Sequence, residues 1–419
     1  MLYNLSKGGY TIMDLSNLKL NHTKLISYME DQGYSKGYIH RVKAEIDRIL
    51  LHEKDNSWDS YQDVYRDYES SSLSEHSIIC KATLVGLIAS FDLEGLYPDG
   101  CRWHALWSRG VYAQLLPEFR GLVDYYRNTA GTLKISEKTV KKNASALAGF
   151  LYALLGMGCG NLAGINEKHV LGFFSDDKKG PSKSAGHKNT ISKMLRSCSG
   201  YSEDCLRITS YLPPLHNRRK NIQYITAEEV ASLRTGAENG LIPLRDKAIL
   251  FLLLYTGIRA CDIAGLTFDS IDWGADRIRI IQRKTAVPLE LPLSPLVGNA
   301  IFDYIMEERP DSGGRHIFLS KRNPHSPLTT GGFGSVIHDI MDKTDIRQKP
   351  GDRKGTHIFR HHVATSMLEK GVPGAVISQV LGHTVPDSLD SYLHADFVHL
   401  KECSVSIEKY PVNEEVFVL

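Results

Sequence analysis

A stiff, positively charged break near the middle of the chain sets the first limit on how it folds. Leu212-Pro213-Pro214-Leu215 runs directly into His216-Asn217-Arg218-Arg219-Lys220. The two prolines hold the backbone extended, and three consecutive cations suit passage along a phosphate backbone. With 419 residues the chain is also too long for one compact core. The break over 213–225 therefore reads as a basic interdomain linker. A new domain opens just beyond it, where Thr226 and Glu229 stand at capping-box spacing ahead of Val230 and Leu233.

Apolar spacing before the linker is helical. Leu25, Ile26 and Met29, then Ile39, Val42, Ile46 and Ile49, recur at three- and four-residue steps. An Asp- and Ser-rich stretch from Lys54 to Ser74 interrupts them as a polar loop. A further helix over His76 to Phe91 is closed by Tyr97-Pro98-Asp99-Gly100. A similar order returns with helices over Leu116–Tyr126 and Ser136–Leu155, a turn at Gly156–Gly160, a short helix at Glu167–Phe174 and another after Pro181, so the second unit is a candidate structural repeat of the first. After the linker, helices are predicted over Leu244–Thr256 and from Arg259. Arg277–Ile281 and Val287–Leu291 flank a turn and read as a β-hairpin. Helices then start near Pro295, Gly332, His357, Pro373 and Val385. The divisions expected are an arm over 1–15, an extra helical domain over 16–105, a helical module over 106–212, the linker, a catalytic domain over 226–400 and a tail over 401–419.

A formal net charge of +2 decides nothing about partners, because local segregation can hide in it. Basic residues do cluster: Lys134, Lys138, Lys141 and Lys142, then Lys178, Lys179, Lys183, Lys188 and Lys193, and Arg218, Arg219 and Lys220 in the linker. A solvated face is the bland reading of such runs, and a DNA-binding face the functional one. The cysteines, Cys80, Cys101, Cys159, Cys198, Cys205, Cys261 and Cys403, are odd in number and lack regular spacing, which suits free thiols in a reducing cytoplasm. The first residues lack the apolar core of a signal peptide, and the longest apolar run, Ala248 to Tyr255, is too short to span a bilayer. A cytoplasmic protein without a membrane anchor is the expectation.

Chemistry concentrates after the linker. Breaking a phosphodiester needs a nucleophile, cations for the charge developing on the non-bridging oxygens, and a proton donor for the leaving oxygen. Arg259 follows Gly257-Ile258, with Asp262 three positions on; alone, that pair reads as a surface ion pair. Lys284 lies at the tip of the predicted hairpin, where solvent is the plain alternative. His357, Arg360 and His361 fall at i, i+3, i+4, with Phe359, Val363 and Met367 as the adjoining apolar stripe. The two histidines also match a metal-ligand spacing, but no HExxH pattern occurs and Arg360 between them repels a cation. Leu381-Gly382-His383 ends a short helix, and Tyr392 follows in Leu389-Asp390-Ser391-Tyr392-Leu393-His394.

Taken together, Arg259, Lys284, His357-x-x-Arg360, Leu381-Gly382-His383 and Tyr392 resemble the catalytic signature of the tyrosine recombinase (phage integrase) family in residue type, order and separation. The resemblance covers 226–400 strongly and 115–210 weakly. It implies a mainly α fold, with helical SAM-like core-binding modules followed by a mixed, mostly α catalytic domain carrying a small β-hairpin near its start. It implies a site-specific recombinase in which Tyr392 attacks a DNA phosphate to give a 3′-phosphotyrosine, without ATP. Arg259 and Arg360 would clamp the phosphate, Lys284 would protonate the leaving oxygen, and His357 and His383 would handle protons or donate hydrogen bonds. Asp262 and His361 would be supporting residues. Arginine charge is permanent, so neither metal nor other cofactor is implied. The partners implied are double-stranded DNA and three further copies of the chain in a synaptic tetramer, with monomer or dimer off DNA and room for accessory DNA-bending proteins. The family's usual acid after the first arginine is glutamate, one methylene longer than Asp262, and the family pattern is silent on 16–105. A type IB topoisomerase and a catalytically silent DNA-binding regulator are the alternatives.

Overall fold

Side-chain caps set where several helices begin in this computed structural model, which describes residues 13–52, 58–100, 111–131, 135–176, 180–181, 183–215 and 223–382. Ser60, Ser74, Ser136, Asn166, Ser184 and Thr226 each accept a backbone N–H from the first turn that follows. The chain divides into two compact units, one drawn mainly from residues up to Arg219 and the other mainly from Lys220 onward.

The first unit contains α1 (Ser16–Asp31), α2 (Lys36–His52), α3 (Tyr61–Glu69) and α4 (Glu75–Glu94), with α4 packed on the other three. Helix α3 lies inside the stretch expected to be a polar loop. The Ser60 cap starts it, and Tyr61, Val64 and Tyr68 bury one face at helical spacing despite the acidic composition. Asp92 of α4 caps α1 from afar: its carboxylate accepts the N–H groups of Leu15 (3.0 Å) and Leu18 (2.8 Å) and the Tyr61 hydroxyl (2.9 Å). Among the described residues α4 is the one helix long and apolar enough to cross a membrane, and half of its apolar stretch is buried by its neighbours.

A second group of helices follows: α5 (Pro117–Gly131), α6 (Glu137–Gly156), α7 (Glu167–Phe174), α8 (Ala185–Ser197) and α9 (Asp204–Ser210). Phe119, Leu122, Leu147, Phe150, Leu151, Ile191 and Leu195 form its core, with Leu212 and Leu215 of the proline-rich segment packed against it. Two short strands, β1 (Ser175–Asp176) and β2 (Gly180–Pro181), pair antiparallel beyond α7.

The second unit is built on α11 (Leu244–Thr256), which follows α10 (Ala227–Glu238). Ala248 to Leu254 are all buried, so α11 is apolar around its whole circumference and must be surrounded. Around it pack the one-turn helix α12 (Ala260–Ile263), α13 (Pro295–Asp303), α14 (Thr330–Lys343) and α15 (His357–Glu369), while α16 (Gly374–Leu381) covers the far side of α15. The expected hairpin is present as β4 (Arg277–Ile281) and β5 (Pro288–Pro292), paired antiparallel from Arg277 opposite Pro292 to Ile281 opposite Pro288. A short third strand, β3 (Ile271–Asp272), was not legible in the sequence. Alternation sends Ile278, Leu289 and Leu291 into the core and leaves the turn at 282–287 to project from the sheet. The helix expected from Val385 lies outside the described residues.

Candidate active site

Four backbone devices gather the side chains. Helix α11 stops at Gly257, whose φ of +62° is a left-handed conformation that glycine adopts without strain. That stop turns the chain so that Arg259 stands at the start of α12. Helix α16 ends in the same way at Gly382, φ +63°. The β4–β5 turn and the first residues of α15 supply the other two sides.

The carbonyls ending α11 and α16 are the points of convergence. Arg360, only 5 % exposed, donates through Nη1 to the Gly257 oxygen (3.0 Å) and through Nη2 to the Leu381 oxygen. Arg259 donates to the next carbonyl, that of Gly382, at 3.3 Å. Both guanidinium groups are thus anchored on consecutive residues of one helix end, whose carbonyls carry partial negative charge. Asp262, 3 % exposed, is no surface partner of Arg259. Its Oδ1 accepts the backbone N–H of Arg283 at 2.8 Å, which fixes the base of the hairpin turn, while its Oδ2 lies 4.0 Å from Arg259 Nη1. The expected surface ion pair is in fact a buried tie between α12 and the hairpin.

Gln282 was missed by the sequence reading. It is 1 % exposed, donates from Nε2 to the Leu381 carbonyl (3.2 Å) and accepts from the Thr285 hydroxyl at Oε1 (2.7 Å). It therefore latches the turn carrying Lys284 to the end of α16. The available signal was a polar residue continuing the inward alternation of a strand, where an apolar one belongs. A Cβ at Gly382 would lie 2.3 Å from Gln282 Nε2. Gly382→Ala should therefore lose about 1–2 kcal/mol for the left-handed turn and about 1–3 kcal/mol for the displaced Gln282 amide. Thermal denaturation beside a Gly371→Ala control, where the added Cβ meets open space, isolates the second part.

The cations converge electrostatically on His357. Burial, followed by the charges of Arg360, Lys284 and Arg259, pushes its pKa below the ordinary value. Lys284 is exposed on the hairpin turn, yet its charge reaches the same imidazole as the two arginines. The imidazole is accordingly neutral at neutral pH. His361 is driven further, to about 4, by burial and then by His357, Arg353 and Arg360. The burial of α15 differs from the expected stripe. Phe359 is fully buried, but Val363 and Met367 are only partly so, and the deepest positions include Ile358, Arg360, Ala364 and Thr365. The helix lies between α11 and α16 and buries two faces, one of which carries the arginine.

These histidines predict acid lability. A histidine with a folded pKa below its unfolded value, about 6.5, binds fewer protons in the native than in the unfolded chain. Its contribution is intact above that pH and is lost as pH falls towards the folded value. The wild-type melting temperature should fall between pH 7 and 5, and His361→Gln should remove part of that fall, roughly 2–4 °C.

The remaining candidates are distributed as follows. Tyr392 and His383 lie outside the described residues, as do Lys134, Arg218, Arg219 and Lys220; Gly382 is the last described position before His383. Lys138, Lys141 and Lys142 are exposed on the first turns of α6, with Lys141 paired to Glu137 at 2.8 Å. Lys183 is exposed and stands over the Phe173 ring at 5.2 Å, and Lys188 is half-buried on α8. Among the described residues no three His, Cys, Asp or Glu side chains group as a metal site.

Comparison with known proteins bears on the family and the fold. A family model described as the phage integrase family matches residues 223–399. The chain is 34 % identical over 168 residues to a Sinorhizobium fredii protein named as an integrase/recombinase, y4gC, covering 40 % of this chain and 85 % of that one. It is 30 % identical over 285 residues to a second, y4rA, covering 66 % and 68 %. The solved structure of a lambda integrase dimer bound to a COC′ core site superimposes with a TM-score of 0.50 at 19 % identity, over 76 % of this chain and 87 % of that one, a likeness of fold.

Proposed function

The chain belongs to the phage integrase family of tyrosine recombinases, and from that premise we propose how its own residues cut and rejoin DNA. The observation that carries the reading is the seating of Arg259 and Arg360 on consecutive carbonyls, with His357 beside them held below its ordinary pKa by burial and by their charge. The two guanidinium groups hold the non-bridging oxygens of the scissile phosphate, a task that suits their planar donors better than an ammonium. Anchored before substrate arrives, they need little reorganisation as charge develops. Tyr392 attacks phosphorus in line, its proton passing to the His357 imidazole, and Lys284 protonates the departing 5′ oxygen. The phosphotyrosine retains the bond energy, so the released hydroxyl can reverse the step without ATP. His383 donates a further hydrogen bond to the phosphate. Asp262 acts through Arg259 and the hairpin base, and His361 through α15.

Double-stranded DNA is the proposed substrate, met by Lys138, Lys141, Lys142, Lys183 and Lys188 of the core-binding module over 106–212 and by the 218–220 run. Four protomers would hold two duplexes, and the tail over 401–419 is a proposed contact between neighbours. A cytoplasmic location is part of the same proposal and suits a protein that acts on DNA. The decisive test is incubation with a nicked suicide substrate carrying a core site, followed by peptide mapping of any covalent product. Linkage of the 3′ phosphate to Tyr392 is expected. Linkage to another residue, or relaxation of supercoils without intermolecular products, would remove the proposal.

A further inference from the structure

The first residues of the second unit are held from one side by the segment that leads into the catalytic helix. Arg347 is the centre of this brace. Its Nη1 donates to Gln223 Oε1 (3.2 Å) and to the Arg353 carbonyl (3.3 Å). Nη2 donates to the Tyr224 carbonyl and to Glu229 Oε2 (3.0 Å), and Nε lies 2.9 Å from Glu229 Oε1. Gln223 returns the contact, accepting the Arg353 N–H at 2.8 Å and donating to the Gly351 carbonyl at 3.3 Å. Two residues further on, the Ile225 carbonyl lies 2.6 Å from Nδ1 of His362, a residue of α15 itself; a carbonyl there requires the proton on that nitrogen.

We infer that Arg347 is a positioning residue, tying Gln223–Thr226, where the linker joins the second unit, to the segment that carries His357 and Arg360. Three features argue for a device of placement. The Arg347 side chain is 9 % exposed, so its charge is committed to these partners and not to solvent. Its backbone sits at φ +56°, a left-handed conformation that costs a non-glycine residue about 1–2 kcal/mol and is kept only where its surroundings over-determine it. Its partners lie in Gln223–Glu229 and at Arg353, four residues before His357. The same segment is knitted internally: Lys354 Nζ binds Asp342 and Gln348, and Gln348 binds the Met341 and Ile346 carbonyls. A displacement of the linker is therefore passed to the start of α15 through charge-assisted bonds. The inference rests on the recombinase reading for its catalytic consequence and on the contacts alone for its mechanical one.

The test uses the full-length chain with Arg347→Ala, Arg347→Lys and Gln223→Ala. A misplacement near 1 Å can cost up to about a hundredfold in rate. Arg347→Ala should accordingly slow single-turnover adduct formation roughly 10- to 100-fold, with affinity for the same DNA site unchanged. Arg347→Lys should recover part of the rate, and Gln223→Ala should show a smaller loss without leaving a buried charge unpaired. Amide hydrogen exchange should quicken over 355–364 in Arg347→Ala while α11 stays protected. Unchanged exchange there, an unchanged adduct rate, or protection lost evenly throughout the unit would each overturn the inference. A wild-type chain that forms no adduct would instead remove the recombinase reading, and the exchange experiment would still judge the brace.

Discussion

Tyr392→Phe is expected to abolish the covalent protein–DNA adduct while leaving fold and site-specific binding intact. The change removes one oxygen and keeps the ring, so packing and charge are conserved and only the nucleophile is lost. The arginines, Lys284 and His357 would still hold and polarise the phosphate, but nothing at the attacking position could form the phosphoester. Residual cleavage by water is the sole route left, and it would release a free 3′ phosphate in place of a protein-linked one. Suicide-substrate trapping followed by denaturing electrophoresis reads the difference, and a persistent adduct in the variant would place the nucleophile elsewhere. Tyr392 lies ten positions beyond Gly382, enough chain to reach about 33 Å when extended. The phenol can therefore serve its own pocket or a neighbour's. Mixing Tyr392→Phe with Arg360→Ala separates the two, since activity returns only if tyrosine is exchanged between protomers.

The sequence exposed the parts of this site that are written in residue type and spacing. His357, Arg360 and His361 could be named because a helix places i, i+3 and i+4 on one side, Arg259 because it fits the same family pattern in type and order, and the hairpin because alternation from Arg277 to Leu291 admits little else. Spacing alone concealed what depends on distant segments. Gln282 counts as a latch only because the end of α16 comes back to it from 99 residues away. Asp262 looked like a surface acid because its burial is created by the hairpin. Helix α3 was hidden by composition: its aspartates face outward, while Tyr61, Val64 and Tyr68 carry the packing. The Arg347 brace joins positions more than 100 residues apart, and nothing local marks an arginine as its centre.

Arg360→Ala should lower the rate of adduct formation by on the order of a hundred- to a thousandfold, the usual effect of losing one preorganised donor to a developing oxyanion. Unlike the loss of an exposed cation, it also reaches the fold. The ends of α11 and α16 lose the donor that ties them together, and the Gly257 carbonyl loses its partner at about 1–3 kcal/mol for a buried group left unsatisfied, while the Leu381 carbonyl keeps Gln282 Nε2. Arg360→Lys separates the two effects. An ammonium retains the charge but cannot span two carbonyls and a phosphate with fixed planar donors. Much of the stability should return while most of the rate stays lost. Arg259→Ala should give a comparable rate loss by a different path, since it also strips Asp262 of its nearby countercharge at 4.0 Å. DNA binding should survive in all three, because affinity is spread over many phosphate contacts and a single site cation adds little. If binding fell as far as cleavage in Arg360→Ala, the guanidinium would be a binding group for the duplex and not a clamp on the reacting phosphate.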